Sequence, residues 1–254
     1  TNDWNKRVIR QHALGKFEDL LQASALHPAM IVYLDGELST KEQPNENFGR
    51  ELLELYTVTP KSGYTQSDII NAAKLFSGFR VKWPERWYQR GPRTRPWGNT
   101  FKDVPPFSTM LHGERQNYGT FKIMGWQQTV TTFDQVLPAI QSLLKYLAAH
   151  PETAKAIALK LGRRFVEVVP SQQFISDIAA SYTSSGGDIK TVLKAVYQHP
   201  DFKNAVGKKL KRPGEDYVSV ARTLNVFPNF TRTEIFWLEC WDSNISHSFT
   251  IPFV

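Results

Sequence analysis

Three glutamates, two asparagines and one arginine crowd into the run Asn45-Glu46-Asn47-Phe48-Gly49-Arg50-Glu51-Leu52-Leu53-Glu54-Leu55-Tyr56-Thr57. Paired carboxylates are the groups that hydrolyse glycosidic bonds. One protonates the leaving oxygen and the other serves as nucleophile or base, with the two about 5–10 Å apart across the sugar. Glu46 with Glu51, or Glu51 with Glu54, approaches that separation on a helix. Arg50 stands four residues from both Glu46 and Glu54 and can bridge them. Glu51 is therefore the better buried candidate, because its arginine neighbour points elsewhere. Hydrolysis also requires one carboxyl to keep its proton at neutral pH. The same cluster fits a second description, an ionic network that fixes the fold, since such networks perturb titration whether or not they do chemistry.

Outside this run, His112 sits beside Gly113, Glu114 and Arg115, with Lys122 ten residues on. Loops that present His, Glu and Lys often carry acid–base catalysis. The competing reading is a histidine that pins its loop by hydrogen bonds. A third candidate is the segment from Arg80 to Lys102, which holds Arg80, Lys82, Arg86, Arg90, Arg93, Arg95 and Lys102 against Glu85 alone. It also carries Trp83, Trp87, Tyr88, Trp97 and Phe101. Basic groups among aromatic rings favour anionic or planar partners: acidic glycan, nucleic acid or phospholipid headgroups. Trp83, Trp87 and Trp97 are the rings to hold sugars. The segment is also a candidate protein-binding surface, because Trp, Tyr and Arg dominate hot spots. No helix-turn-helix, RRM or KH pattern accompanies it, which places nucleic acid behind polysaccharide.

Other chemistries find little support. The 254 residues carry one cysteine, Cys240, so no intrachain disulfide and no cysteine-based zinc site can form. His-Pro occurs at 27–28, 150–151 and 199–200. Each reads as helix punctuation, with proline at the first helical position. No HExxH or paired-His spacing supports a metal. There is no nucleophile elbow, no glycine-rich phosphate loop and no cofactor pattern. No run of 18 apolar residues offers a membrane span.

The elements that must position these groups read as mainly α. Hydrophobic residues make up 41% and charged residues 22%, which fits a globular chain with one sizeable core. Net charge is +7. Residues 4–35 read as helices broken near Gly15. The signature helix spans about 45–58, N-capped by Asn45, with Phe48, Leu52, Leu55 and Tyr56 on its apolar face. Thr65 and Asp68 read as a capping box for the next helix, whose inward stripe is Ile69, Ala72, Ala73 and Phe76. From Gly78 to Gln128 the helical period disappears and prolines punctuate the chain, as in a long loop-rich insertion holding short strands or hairpins. Helices resume after Thr132, with Thr132 and Gln135 in a second capping-box pattern. Further starts follow at Pro151, Ser171 and Asp188, and a last helix covers about 215–226.

The run NENFGRELLELYTVTPKSGYTQSDIINAAKLFSGF resembles the hallmark of the bacterial family called domain of unknown function 1800. Ordered matches follow: His112, Lys122 and Gly125 in LHGERQNYGTFKIMG, then HPETAKAIALKLGRRFV, SGGDIKTVLKAVYQHPDF and LKRPGEDYVSVARTLNV. With IRQHALGKFEDLLQASALHPAMIVYLD the resemblance covers roughly residues 4–227. The family places an acid after its histidine where this chain has Gly113; if that acid orients the imidazole, either Glu114 substitutes for it or the site is weakened. The stretch NFTRTEIFWLECWDSNISHSFTIPFV departs from the family pattern, as does the start, which lacks the family's preceding helical region. The resemblance implies a helical, exported protein of unassigned activity.

The expectation is a mainly α, single-core domain over 1–227, with an aperiodic insertion at 80–128 and a distinct tail at 228–254. The first functional expectation is a hydrolase acting on polysaccharide, with Glu46, Glu51, Glu54 and His112 catalytic and Arg50, Trp83, Trp87, Trp97 and Lys122 binding substrate. No metal or cofactor is expected. The alternative is a non-catalytic binding or assembly module.

Overall fold

Asn45 explains why the signature run starts where it does. Its Oδ1 accepts the Asn47 backbone N–H at 2.9 Å, and its Nδ2 donates to the carbonyls of Leu34 and Asp35 at 2.8 and 2.9 Å. One side chain thus caps a helix and ties down the loop before it.

The computed structural model describes residues 2–83, 105, 107–208 and 213–225. The chain opens with α1 over residues 2–12, whose middle turn, Asn5–Ile9, is a π-helix. Helices α2 (Phe17–Ala25) and α3 (Pro28–Tyr33) follow. The signature helix α4 runs Glu46–Glu51 and continues into a π-turn, Leu52–Tyr56. That turn corrects the expected apolar face. A wider turn advances each residue through a smaller angle than 100°, so Leu55 swings out and is 55% exposed, while Leu53 is fully buried.

Helix α5 (Gln66–Leu75) packs across α4. Its capping box is present as the sequence predicts, with Asp68 and Thr65 satisfying each other's backbone N–H. Ile69, Ala72 and Ala73 face inward, and Phe76 stacks on Phe48 with ring centroids 4.7 Å apart. The two helices touch at Gly49, where a Cβ would lie 2.7 Å from the Ile69 carbonyl oxygen and 3.1 Å from the Ala73 nitrogen. No side chain fits there.

The insertion contains short strands, as expected. Strand β1 (Phe79–Val81) pairs antiparallel with β2 (Thr109–Leu111), Arg80 opposite Met110. Strands β3 (Gly119–Ile123) and β4 (Trp126–Val130) form a hairpin. Its turn residues, Met124 and Gly125, both have positive φ (50° and 89°), the backbone that a two-residue primed turn needs. Asp68 also fixes this turn: its Oδ1 accepts the Met124 N–H at 2.7 Å while its Oδ2 accepts from Thr65. One carboxylate thus joins a helix N-terminus to a hairpin tip.

Helices α6 (Val136–Ala149), α7 (Pro151–Phe165), α8 (Gln172–Ser184), α9 (Ile189–Gln198) and the short α10 (Pro200–Lys203) complete this part of the core. Pro138 falls in the first turn of α6 and does not break it. Ser171 and Asp188 cap α8 and α9 as predicted. The Thr132 capping box does not form. Instead Gln135 Oε1 accepts from the Thr131 backbone and hydroxyl, one residue earlier, because a 3₁₀ turn at Phe133–Gln135 precedes α6. The His-Pro punctuation holds at all three positions: the Nδ1 atoms of His27, His150 and His199 accept the N–H two residues on at 3.1, 3.2 and 3.1 Å. Each imidazole is the helix cap itself.

The chain divides into two compact units, Thr1–Asn204 and Ala205–Val254; the second contains α11 (Pro213–Thr223). The expected distinct tail, 228–254, lies outside the described residues. The first unit is a mainly α-helical domain with two small antiparallel ladders.

Gly49→Ala forces the α4 and α5 backbones apart. It should cost about 1–3 kcal/mol of unfolding free energy in urea, whereas Gly15→Ala, whose Cβ would sit 3.5 Å from the nearest atom, should stay within about 0.5 kcal/mol of the parent.

Asp68 gives a pH test. Burial works to raise its pKa, but the hydrogen bonds from Met124 and Thr65 outweigh it and leave the carboxyl below the ordinary value of 3.8. Its stabilisation is therefore complete above that value and lost as pH falls through the lower folded value. Thermal melts of Asp68→Asn should show a shallower fall in Tm below about pH 4 than the parent. Parallel acid limbs would count against the assignment.

Candidate functional site

Along the exposed side of α4 the polar groups form one connected chain. Glu46 Oε2 accepts Gln66 Nε2 at 2.6 Å and lies 3.8 Å from Arg50 Nη2. Arg50 Nη1 reaches Glu54 Oε1 at 3.4 Å, and its Nη2 donates to Gln66 Oε1 at 3.3 Å. The Tyr64 hydroxyl donates to Glu54 Oε1. The predicted double bridge by Arg50 is present, but it is long. Arg50 and Glu46 are 42% and 45% exposed, and ion pairs of this type contribute at most about 1 kcal/mol. Gln66 and Tyr64 do more to fix the two carboxylates. Both carboxylates reach the same guanidinium, which keeps Glu46 and Glu54 within about 10 Å of each other, the span of a glycosidase pair.

Tyr64 was not marked by sequence pattern. It stands between the Gly63 turn, which needs positive φ (82°), and the Thr65 cap. Gln66 is the first residue of α5. Neither belongs to a chemical motif, and only the crossing of α4 over α5 reveals them. Removal from water, then the hydrogen bond and charge of Glu54, push the Tyr64 phenol up to about 12 against the opposing pull of Arg50. It stays a proton donor across the working range.

Glu51 is treated differently. Among the described residues its carboxylate makes no hydrogen bond or ion pair. Its charge is felt by Tyr56, whose pKa is raised first by burial and then by Glu51 and Tyr33. Tyr56 borders a small apolar cleft with Leu21, Ala25, Met30, Leu34, Phe48 and Leu52. Tyr33 is 74% exposed. At the end of the π-turn, Lys160 of α7 donates to the Leu55 carbonyl, a cation at the negative end of a helix. Burial lowers its pKa although much of the side chain meets solvent.

The remaining candidates lie elsewhere. His112 follows β2, and its backbone N–H donates to the Gly78 carbonyl at 2.9 Å. Gly78 is three residues past the C-terminal end of α5, whereas Tyr64 and Gln66 mark its N-terminal end. The ten-residue helix separates those anchors by about 15 Å. Lys122 is exposed, and its backbone carbonyl accepts Asn71 Nδ2 at 3.1 Å from the middle of α5. Trp83 donates its indole N–H to Glu37 Oε1 at 3.2 Å and meets Phe107 edge to face. Trp87 and Trp97, with most of the basic segment, lie outside the described residues. The structure therefore brings together Glu46, Arg50 and Glu54, with Glu51 on the same helix. His112 is anchored past the far end of α5, Lys122 at its middle through Asn71, and Trp83 at Glu37. Among the described residues no set of three His, Cys, Asp or Glu is placed to hold a metal, and no helix is long and apolar enough to cross a membrane.

The sequence profile of the family described as protein of unknown function DUF1800 matches residues 1–245, so the chain belongs to that family. The match runs past residue 227, where the ordered motifs end. No curated protein and no solved structure matches the chain.

Tyr64→Phe should remove about 1 kcal/mol of stability at neutral pH. Because the folded pKa is raised, the contribution of the phenol is complete below the ordinary value of 10 and is lost as pH climbs through about 12. The stability gap between parent and variant, measured by urea unfolding at successive pH values, should close over that range. A constant gap would contradict the hydrogen bond to Glu54.

Proposed function

We propose that the polar face of α4 is a carbohydrate site at which Glu51 and Glu54 cleave glycosidic bonds of a polysaccharide. The observation that carries this reading is the division of environments along one helix. Glu54 receives the Tyr64 hydroxyl and faces Arg50. Glu51, three residues earlier, has neither a donor nor a cation among the described residues. Two carboxyl groups on one helix, one held by donors and one left open to a ligand, are what a paired-carboxylate reaction uses.

In this scheme Glu51 protonates the leaving oxygen. Glu54 supplies the carboxylate that attacks the anomeric carbon or activates water. Tyr64 and Arg50 orient Glu54, and Glu46 with Gln66 holds Arg50 in place. The exposed ring of Tyr33 offers a face for a sugar to stack on. His112, anchored at the far end of α5, has no step here.

One observation favours a second reading, a non-catalytic binding or assembly module. Gln66 and Tyr64 already satisfy Glu46 and Glu54, as a network that only fixes packing would require. Glu51→Gln separates the two. Turnover on a panel of glycans should fall by about a hundredfold or more with Tm unchanged. A parent without turnover on any glycan, and a variant that loses only stability, would support the network.

A further inference from the structure

We propose that the cleft between α2, α3 and α4 receives the methyl of an acetamido group, which makes the substrate a polysaccharide of N-acetylated amino sugars. The inference rests on the carbohydrate reading of α4 and adds its substrate class. Ala25, Leu34, Phe48 and Leu52 are buried and form the floor of the cleft. Ser24, Met30 and Tyr56 are half-buried and form its rim. The cleft has a volume of about 10 Å³, the space of roughly one small group. A sugar ring is too large for it. Water is a poor occupant as well, because it needs several polar partners and the floor is carbon. A methyl matches both the size and the surface.

The rim indicates what that methyl is attached to. Ser24 and Tyr56 carry hydroxyl groups, and among the described residues neither hydroxyl makes a hydrogen bond. Half-buried hydroxyls without a partner carry a desolvation cost that a ligand can offset. Each can donate and accept. An acetamido group presents an N–H and a carbonyl beside its methyl, one for each hydroxyl. An O-acetyl ester presents no N–H, and an unacetylated sugar presents no methyl. Burial first, then the charge of Glu51 and Tyr33, raise the pKa of Tyr56, so its phenol keeps its proton at neutral pH and can donate to the carbonyl.

The cleft adjoins the chemistry assigned to α4. Leu52 follows Glu51 directly in the chain, and the Glu51 carboxylate acts on the Tyr56 phenol. The π-turn that ends α4 supplies both Leu52 and Tyr56, and widened turns of this kind recur at functional sites. A group bonded to Tyr56 is thus held near the residue assigned as the acid.

The test measures binding to the full chain by isothermal titration calorimetry, and turnover by product analysis. The ligands are oligomers of N-acetylglucosamine, N-acetylgalactosamine, glucosamine and glucose. At least one N-acetylated oligomer should bind about tenfold or more tighter than the unacetylated ones, the effect of one methyl in a fitted apolar pocket. Ala25→Val, which adds carbon to the floor, and Tyr56→Phe, which removes a rim hydroxyl, should each erase most of that preference, with Tm measured in parallel. Equal binding or cleavage of acetylated and unacetylated glycans overturns this inference and leaves the chemistry at α4 standing. N-acetyl-selective binding that both variants weaken, without turnover, keeps the cleft and removes the chemistry. A preference that both variants retain, or a higher Tm for Ala25→Val with binding unchanged, marks a packing void and overturns the inference. Binding of none of the oligomers overturns both.

Discussion

The constraint that the polar face depends on is the contact between the α4 and α5 backbones at Gly49. Ile69 and Ala73 lie where a side chain would begin, so the helices approach as near as main chains allow. That contact sets everything on the polar side. It brings the start of α5 under the acids of α4, so that Gln66 reaches Glu46 and the preceding Tyr64 reaches Glu54. On the apolar side it stacks Phe48 on Phe76. A larger residue at position 49 would separate the polar pairs and the rings together.

Magnitudes decide what holds the acids. Arg50 appears central in sequence because it stands one turn from two glutamates, yet its contacts are 3.4 and 3.8 Å and partly open to water. Ion pairs of that kind contribute little. The shorter bonds from neutral donors do the positioning, and both donors come from outside α4. The hairpin follows the same pattern: Asp68, a capping residue by sequence, also holds the Met124 turn.

Local signals were legible and distant ones were not. Asn45, Thr65, Ser171 and Asp188 announce helix starts because a cap acts within three residues. The three histidines announce them because proline follows each one. The inward stripe of α5 was readable from its period. The π-turn at Leu52–Tyr56 was not, since nothing in a run of helix-forming residues marks a widened turn, and it moved Leu55 out of the predicted face. The partners of Glu46 and Glu54 were invisible because they depend on how two helices cross. The backbone anchor of His112 at Gly78, past the far end of α5, was equally invisible, because it depends on how the insertion returns to the helices.

Helix α4 carries its acids in two conditions, Glu54 fixed by a donor from the next segment and Glu51 without one among the described residues. A double-mutant cycle tests the first half most directly. Urea unfolding of the parent, Glu54→Gln, Tyr64→Phe and the double variant should give a coupling energy of about 1 kcal/mol or more. The same cycle with Glu51→Gln in place of Glu54→Gln should be additive. Additivity for Glu54 with Tyr64, or equal coupling in both cycles, would contradict it.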